Sequence, residues 1–162
     1  MLKNLANAAL FQIGWFICVA GSSLLWLLVP LAFIVVHLLW IAQRSELAVI
    51  LKVTLLGTLL DSVLMTAGVF EFQQHAGFLI PAWLILLWAL LATTLRHCLA
   101  WTADPWWLAS LLGAISAPLS YFAGSKLAGV GFAYGQSVTL IGLAILWACV
   151  FPLLHRVAGH RR

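Results

Sequence analysis

Long apolar runs separated by short polar connections leave this chain one solvent to fold in. From Leu24 to Ala42 there is no charged side chain at all. A membrane-crossing helix needs roughly 20 mostly apolar residues. The sequence offers six such segments, at about 5–21, 24–42, 47–69, 78–99, 106–125 and 136–156, with ends uncertain by a few residues. With their short connections they use up the chain of 162 residues, so no soluble domain is expected. A composition of 65% apolar and 7% charged residues agrees. The runs are continuous rather than alternating, which disfavours a β-barrel. The expected fold is an all-α integral membrane bundle of six helices in a single domain.

Charge gives the orientation. With six crossings both termini share one side. Lys3, Arg44, Lys52, Arg96, Arg156, Arg161 and Arg162 then fall on or near that side, and only Lys126 falls opposite. The positive-inside rule puts the termini in the cytoplasm. The formal charge of +4 therefore needs no nucleic-acid partner. The basic tail HRVAGHRR suits anionic lipid headgroups. Lys3 before an apolar stretch has the outline of a signal peptide. No small residue precedes Cys18 as a lipoprotein site would want, and the first segment is read as an uncleaved helix. Cys18, Cys98 and Cys149 are scattered without a CxxC pair, so neither a disulfide nor a metal site is expected.

Ionisable residues inside apolar segments are costly and mark candidate sites. Asp61 is the sharpest case, about 14 residues into the third segment. The fifth segment runs in the same direction, and the same count reaches Ser120 and Tyr121. Asp61, Ser62, Ser120 and Tyr121 are therefore expected to form a polar layer in the outer half of the membrane. Such a layer could hold a substrate, ion or proton, or it could be an interhelical hydrogen bond. A second layer toward the cytoplasm comprises Gln12, Thr93, Thr94 and His97, with Lys52, Arg96 and His37 nearby. These could meet a lipid phosphate, or simply reach into the headgroup region.

The fifth segment carries small residues at Ser116, Ser120, Gly124 and Ala128, beside Ala109, Gly113 and Ala117, which lets helices approach closely. Pro118 interrupts it and is expected to kink it. Trp26, Trp40, Trp83, Trp101, Trp106 and Trp107 fall near segment ends, as an aromatic belt requires. Leu55-Leu56-Gly57 followed by Ala67-Gly68 faintly echoes Leu111-Leu112-Gly113 followed by Ala123-Gly124. His37, His97 and His155 each end a cytoplasm-bound segment, as a repeated hairpin would arrange. Di-iron oxygenase histidine clusters, HExxH and GxSxG are all missing from the sequence. The outer Gly-rich stretch GVGFAYG follows no strand and is not a phosphate loop. Nothing calls for a cofactor.

Four segments carry a resemblance: FQIGWF at 11–16, LGTLLDS at 56–62, PAW at 81–83 through Leu87 and Trp88 to ATTLRH at 92–97, and APLSY at 117–121 between Gly113 and Ala123-Gly124. With these the chain resembles the domain-of-unknown-function 2878 family of small bacterial inner-membrane proteins, over nearly its whole length. Ala117 stands where the family pattern has glycine, and Cys98 where it has serine. The family implies a multi-pass membrane protein and supplies no reaction. Its genetic association with fatty-acyl modification implies a lipid-related role. The leading expectation is binding or transport of a lipid-like or small amphiphilic molecule, with membrane lipids as partners. The alternatives are an intramembrane enzyme acting on acyl lipids, with Asp61 or His97 as general acid/base and Tyr121 as proton donor, or a scaffold for a lipid-modifying enzyme.

Overall fold

The computed structural model describes residues 1–21, 23–42, 45–72, 75 and 77–159. The expected cytoplasmic turn at 43–44, part of the polar outer loop at 73–74 and 76, and the basic tail at 160–162 lie outside the described residues.

Six helices form in the expected order. They are α1 (Leu2–Ala20), α2 (Leu28–Val36), α3 (Glu46–Thr66), α4 (Ala82–Thr94), α5 (Trp106–Ala128) and α6 (Gln136–Val157). A 3-10 turn at Leu24–Leu27 leads into α2 and a π-helical turn at His37–Ile41 closes it, so this stretch is helical from Leu24 to Ile41. Pro81 and Pro105 cap the starts of α4 and α5, where a missing N–H costs nothing. Five of the helical stretches are long and apolar enough to cross a membrane.

The exception is α4. The span expected at 78–99 is regular helix only from Ala82 to Thr94, 13 residues. At about 1.5 Å per residue that is about 20 Å, short of the roughly 30 Å of a hydrocarbon core. The Thr93 and Thr94 hydroxyls donate to the carbonyls of Leu90 and Leu91, and tighter turns follow through Leu99. Two-residue strands β1 (Glu71–Phe72) and β2 (Val130–Gly131) pair antiparallel, joining the connections after α3 and α5. The Gly-rich stretch GVGFAYG begins just after α5 ends at Ala128 and contributes the strand β2.

Packing is inside-out relative to a water-soluble bundle. Leu55, Leu59, Val63, Ile141 and Ile145 are exposed, whereas Asn7, His37, Glu46, Asp61 and Thr94 are buried. Exposed apolar side chains on every long helix fit a lipid surround. The buried polar groups demand partners inside the bundle. Short α4 is central, packing against α1, α2 and α3, while α5 packs on α6. Gly113 lies in that α5–α6 seam, and Ala109 and Ala117 on the same helix are buried. A Cβ at Gly113 would run into the Trp147 backbone and the Phe151 side chain.

Candidate functional site: a buried carboxylate beside an apolar cleft

α3 carries Asp61 into the bundle with no exposed surface. Its two oxygens accept from different helices. The Trp88 indole N–H of α4 donates to Oδ2 at 2.7 Å, and the Tyr121 hydroxyl of α5 donates to Oδ1 at 2.8 Å. Trp88 is stacked on Trp147 of α6, with ring centroids 5.2 Å apart, and Tyr121 is stacked on Phe70 at 5.2 Å. One carboxylate therefore ties α3, α4 and α5 together through rings that α6 and the outer connection hold flat. Gly57, one turn before Asp61, gives Trp88 its room, since a Cβ there would overlap the indole.

Trp88, Tyr121 and Trp147 also line a cleft of about 660 Å³ between α1 and α5, backed by α4 and α6. That size is typical of pockets that enclose one small ligand. The lining is mostly aromatic and aliphatic, and its polar side chains include Gln12, Thr102, Ser116, Ser120 and Ser125. It reaches from Phe72 and Phe132 near the β-pair to Thr102 at the opposite end. α1 and α5 meet lightly, and a hydrogen bond from the Trp15 indole N–H to Ser120 Oγ at 3.0 Å bridges them. Exposed lining residues Phe16, Ser116 and Leu119 mark where the cleft opens outward.

A second polar cluster occupies the end of the bundle where α1 begins. Glu46, fully buried in the first turn of α3, faces His37 Nε2 at 3.8 Å, His97 Nε2 at 3.5 Å and the Arg96 guanidinium at 3.9 Å. Arg96 also donates to Ser45 Oγ at 2.7 Å and to the Ala158 carbonyl, joining α3 to the end of α6. Asn7 of α1 completes the cluster. Its Nδ2 donates to the Thr93 carbonyl at 3.1 Å, and its Oδ1 accepts from the Cys98 N–H at 3.3 Å.

The ligating atoms of His37, Glu46 and His97 lie within 4.8 Å of one another, close enough to suggest a metal. The surrounding donors argue otherwise. The two backbone contacts fix the Asn7 amide with Nδ2 toward His37 Nδ1, at 3.2 Å. A neutral ring accepting at Nδ1 carries its proton on Nε2, the atom a metal would need bare. Arg96 already supplies a cation to the same carboxylate. The cluster suits an ion-pair network better than a metal centre.

Several site residues expected from sequence are brought together and others are not. Asp61 and Tyr121 are in direct contact, and Ser120 and Gln12 line the same cleft. Ser62 accepts from the Ile80 N–H at 3.1 Å and braces the chain entering α4. Thr93 and His97 belong to the Asn7–Glu46 cluster, and Thr94 is bonded within α4. The expected inner layer is thus divided: Gln12 is exposed on the cleft, and Asn7 supplies the buried amide instead. Sequence reasoning missed Glu46, Asn7, Trp15 and Trp88. An acid opening an apolar helix beside a histidine- and arginine-rich end was the available signal for Glu46.

The family model described as "Protein of unknown function (DUF2878)" matches residues 4–153. The chain belongs to that family. No curated protein and no solved structure matches it. The matched region takes in every element of both the Asp61 cleft and the Glu46 cluster except the last turn of α6.

Proposed function

We propose that this protein binds, and through binding moves or presents, a lipid-like amphiphile in the cleft between α1 and α5. The observation that carries the reading is the cleft itself: about 660 Å³, open at its α1–α5 side, apolar along its length and fitted with a few polar groups near a buried carboxylate. Apolar walls with sparse polar fittings are the usual form of a small-ligand site. A side opening would admit a molecule from the surrounding lipid. Asp61 holds two cleft residues in place rather than facing the ligand as a base, because it is fully buried behind them and does not itself line the cleft. That favours binding over acid–base catalysis on acyl lipids.

The same proposal takes the protein as a six-crossing bacterial inner-membrane protein with cytoplasmic termini. Short α4 would complete its crossing with the flanking segments 78–81 and 95–102. The bias of basic residues toward the Glu46 end supports that orientation. Single-cysteine labelling in a background lacking the native cysteines checks it. A cysteine at Lys3 should react with a membrane-impermeant maleimide only after the membrane is opened, and one at Lys126 should react in intact cells.

Native mass spectrometry of protein extracted with its lipids tests the binding reading. Ser116 is exposed on the cleft, and its side-chain hydrogen bond runs within α5 to the Leu112 carbonyl. Ser116→Trp should fill the opening with little effect on the fold. Wild type should retain a defined amphiphile that Ser116→Trp loses. Identical, unspecific lipid adducts on both would remove the binding reading.

A further inference from the structure

We infer that the occupant of the α1–α5 cleft is an uncharged lipid whose head is an oxygen acceptor, such as a long-chain alcohol, ester or ketone, and not an anionic or cationic amphiphile. This rests on the binding reading above and specifies its ligand class.

The first ground is charge. Among the described residues, no Asp, Glu, Lys, Arg or His lines the cleft. Arg96 is committed to Glu46, Ser45 and Ala158 outside it. Lys126 lies over the Phe122 ring, with 5.5 Å from Nζ to the centroid, and neither residue lines the cleft. An ionised head drawn into such a space loses its hydration and meets no counter-charge. Asp61 lies one side chain behind the wall, through Trp88 and Tyr121, and is itself fully buried. In a low-dielectric surround it repels a carboxylate or phosphate. The same field favours a cation, but no carboxylate reaches the wall to pair with one.

The second ground is hydrogen bonding. The polar side chains on the wall are neutral, chiefly hydroxyls and the Gln12 amide. Ser120 Oγ accepts from Trp15, which leaves its own O–H to donate. The exposed Gln12 amide adds N–H donors on the α1 side. Such groups can hydrogen-bond a ligand oxygen, and none can neutralise an ionised head. A neutral head with an oxygen acceptor meets both conditions.

The test uses one chain with three heads. Oleyl alcohol, oleate and oleylamine are titrated into the full-length protein in lipid nanodiscs, at a pH where oleate is ionised and oleylamine protonated. Occupancy is read by native mass spectrometry. Oleyl alcohol should bind at least about tenfold more tightly than either charged analogue, the ratio expected if charge burial costs more than a single neutral hydrogen bond. Ser120→Ala, which removes the O–H, should weaken the alcohol by about fivefold. Gln12→Lys should admit oleate. If oleate or oleylamine binds as well as the alcohol to the wild type, the ligand class is wrong while the cleft still binds. If Ser120→Ala leaves the alcohol unchanged and the three heads bind alike, the donors play no part and the inference fails. If none of the three is retained, the binding reading falls with it.

Discussion

Gly57→Ala should destabilise this protein more than its size suggests. The added methyl would overlap the Trp88 indole, which is 3% exposed and has nowhere to retreat. Overpacking a tight core costs about 1–3 kcal/mol. Pushing Trp88 aside also removes its hydrogen bond to the Asp61 carboxylate, about 1.5–3 kcal/mol for a bond to a charged group. The two effects share a cause, so about 3–5 kcal/mol is expected together. Gly142→Ala on α6 is the control. Nothing lies within 4 Å of a Cβ there, and the gain in helix propensity is about 1 kcal/mol. Thermal unfolding in detergent should show a large drop for Gly57→Ala and none for Gly142→Ala. Equal melting of the two would mean that Trp88 does not wedge against α3.

Glu46→Ala should also be damaging, for an electrostatic reason. Arg96 would then face two histidines with no counter-charge. Removing one member of a fully buried pair costs about 3–5 kcal/mol, because the other is left uncompensated. Arg96 is 21% exposed and keeps part of its hydration, so about 2–3 kcal/mol is expected. The loss is specific to charge. Combining Glu46→Ala with Arg96→Leu should recover part of it, so that the double mutant melts above the sum of the two single effects. Additive losses would mean that Arg96 contributes through its bonds to Ser45 and Ala158 and not through Glu46.

How much of this could be read from the sequence varies with the physics involved. Helix number and order followed from hydropathy, because a bilayer imposes length and composition on each crossing. The Asp61–Tyr121 contact followed from counting equal depths on two helices that run the same way, at a fixed rise per residue. Depth does not give rotation. Ser120 is next to Tyr121 in depth, yet it faces Trp15 across the cleft, not Asp61. Gln12 and Asn7 differ by five residues, a turn of about 140° at 3.6 residues per turn, so only one could face Thr93. Asn7 does.

Glu46 was hidden differently. Just ahead of the third apolar segment, it is the first residue of α3 and points inward, where two histidines and an arginine from other segments enclose it. No local pattern announces a partner set drawn from residues 37, 46, 96 and 97. The pairing of β1 with β2 was equally unreadable, since two-residue strands have no periodicity to detect. The small residues of α5 were legible as a packing row. The structure divides them between two faces: Gly113 packs against α6 with Ala109 buried nearby, and Ser116, Ala117, Ser120 and Gly124 line the cleft.

The measurement that bears most directly on the account is site mapping with a photoactivatable acyl lipid in the native membrane. Cross-linked residues are located by peptide mass spectrometry. Occupancy of the α1–α5 cleft predicts labels concentrated on lining positions such as buried Trp15 and half-buried Leu87 and Leu112, and lost in Ser116→Trp. Labels spread evenly over lipid-facing residues such as Leu31, Val35 and Leu55, with the cleft positions unmarked, would contradict it.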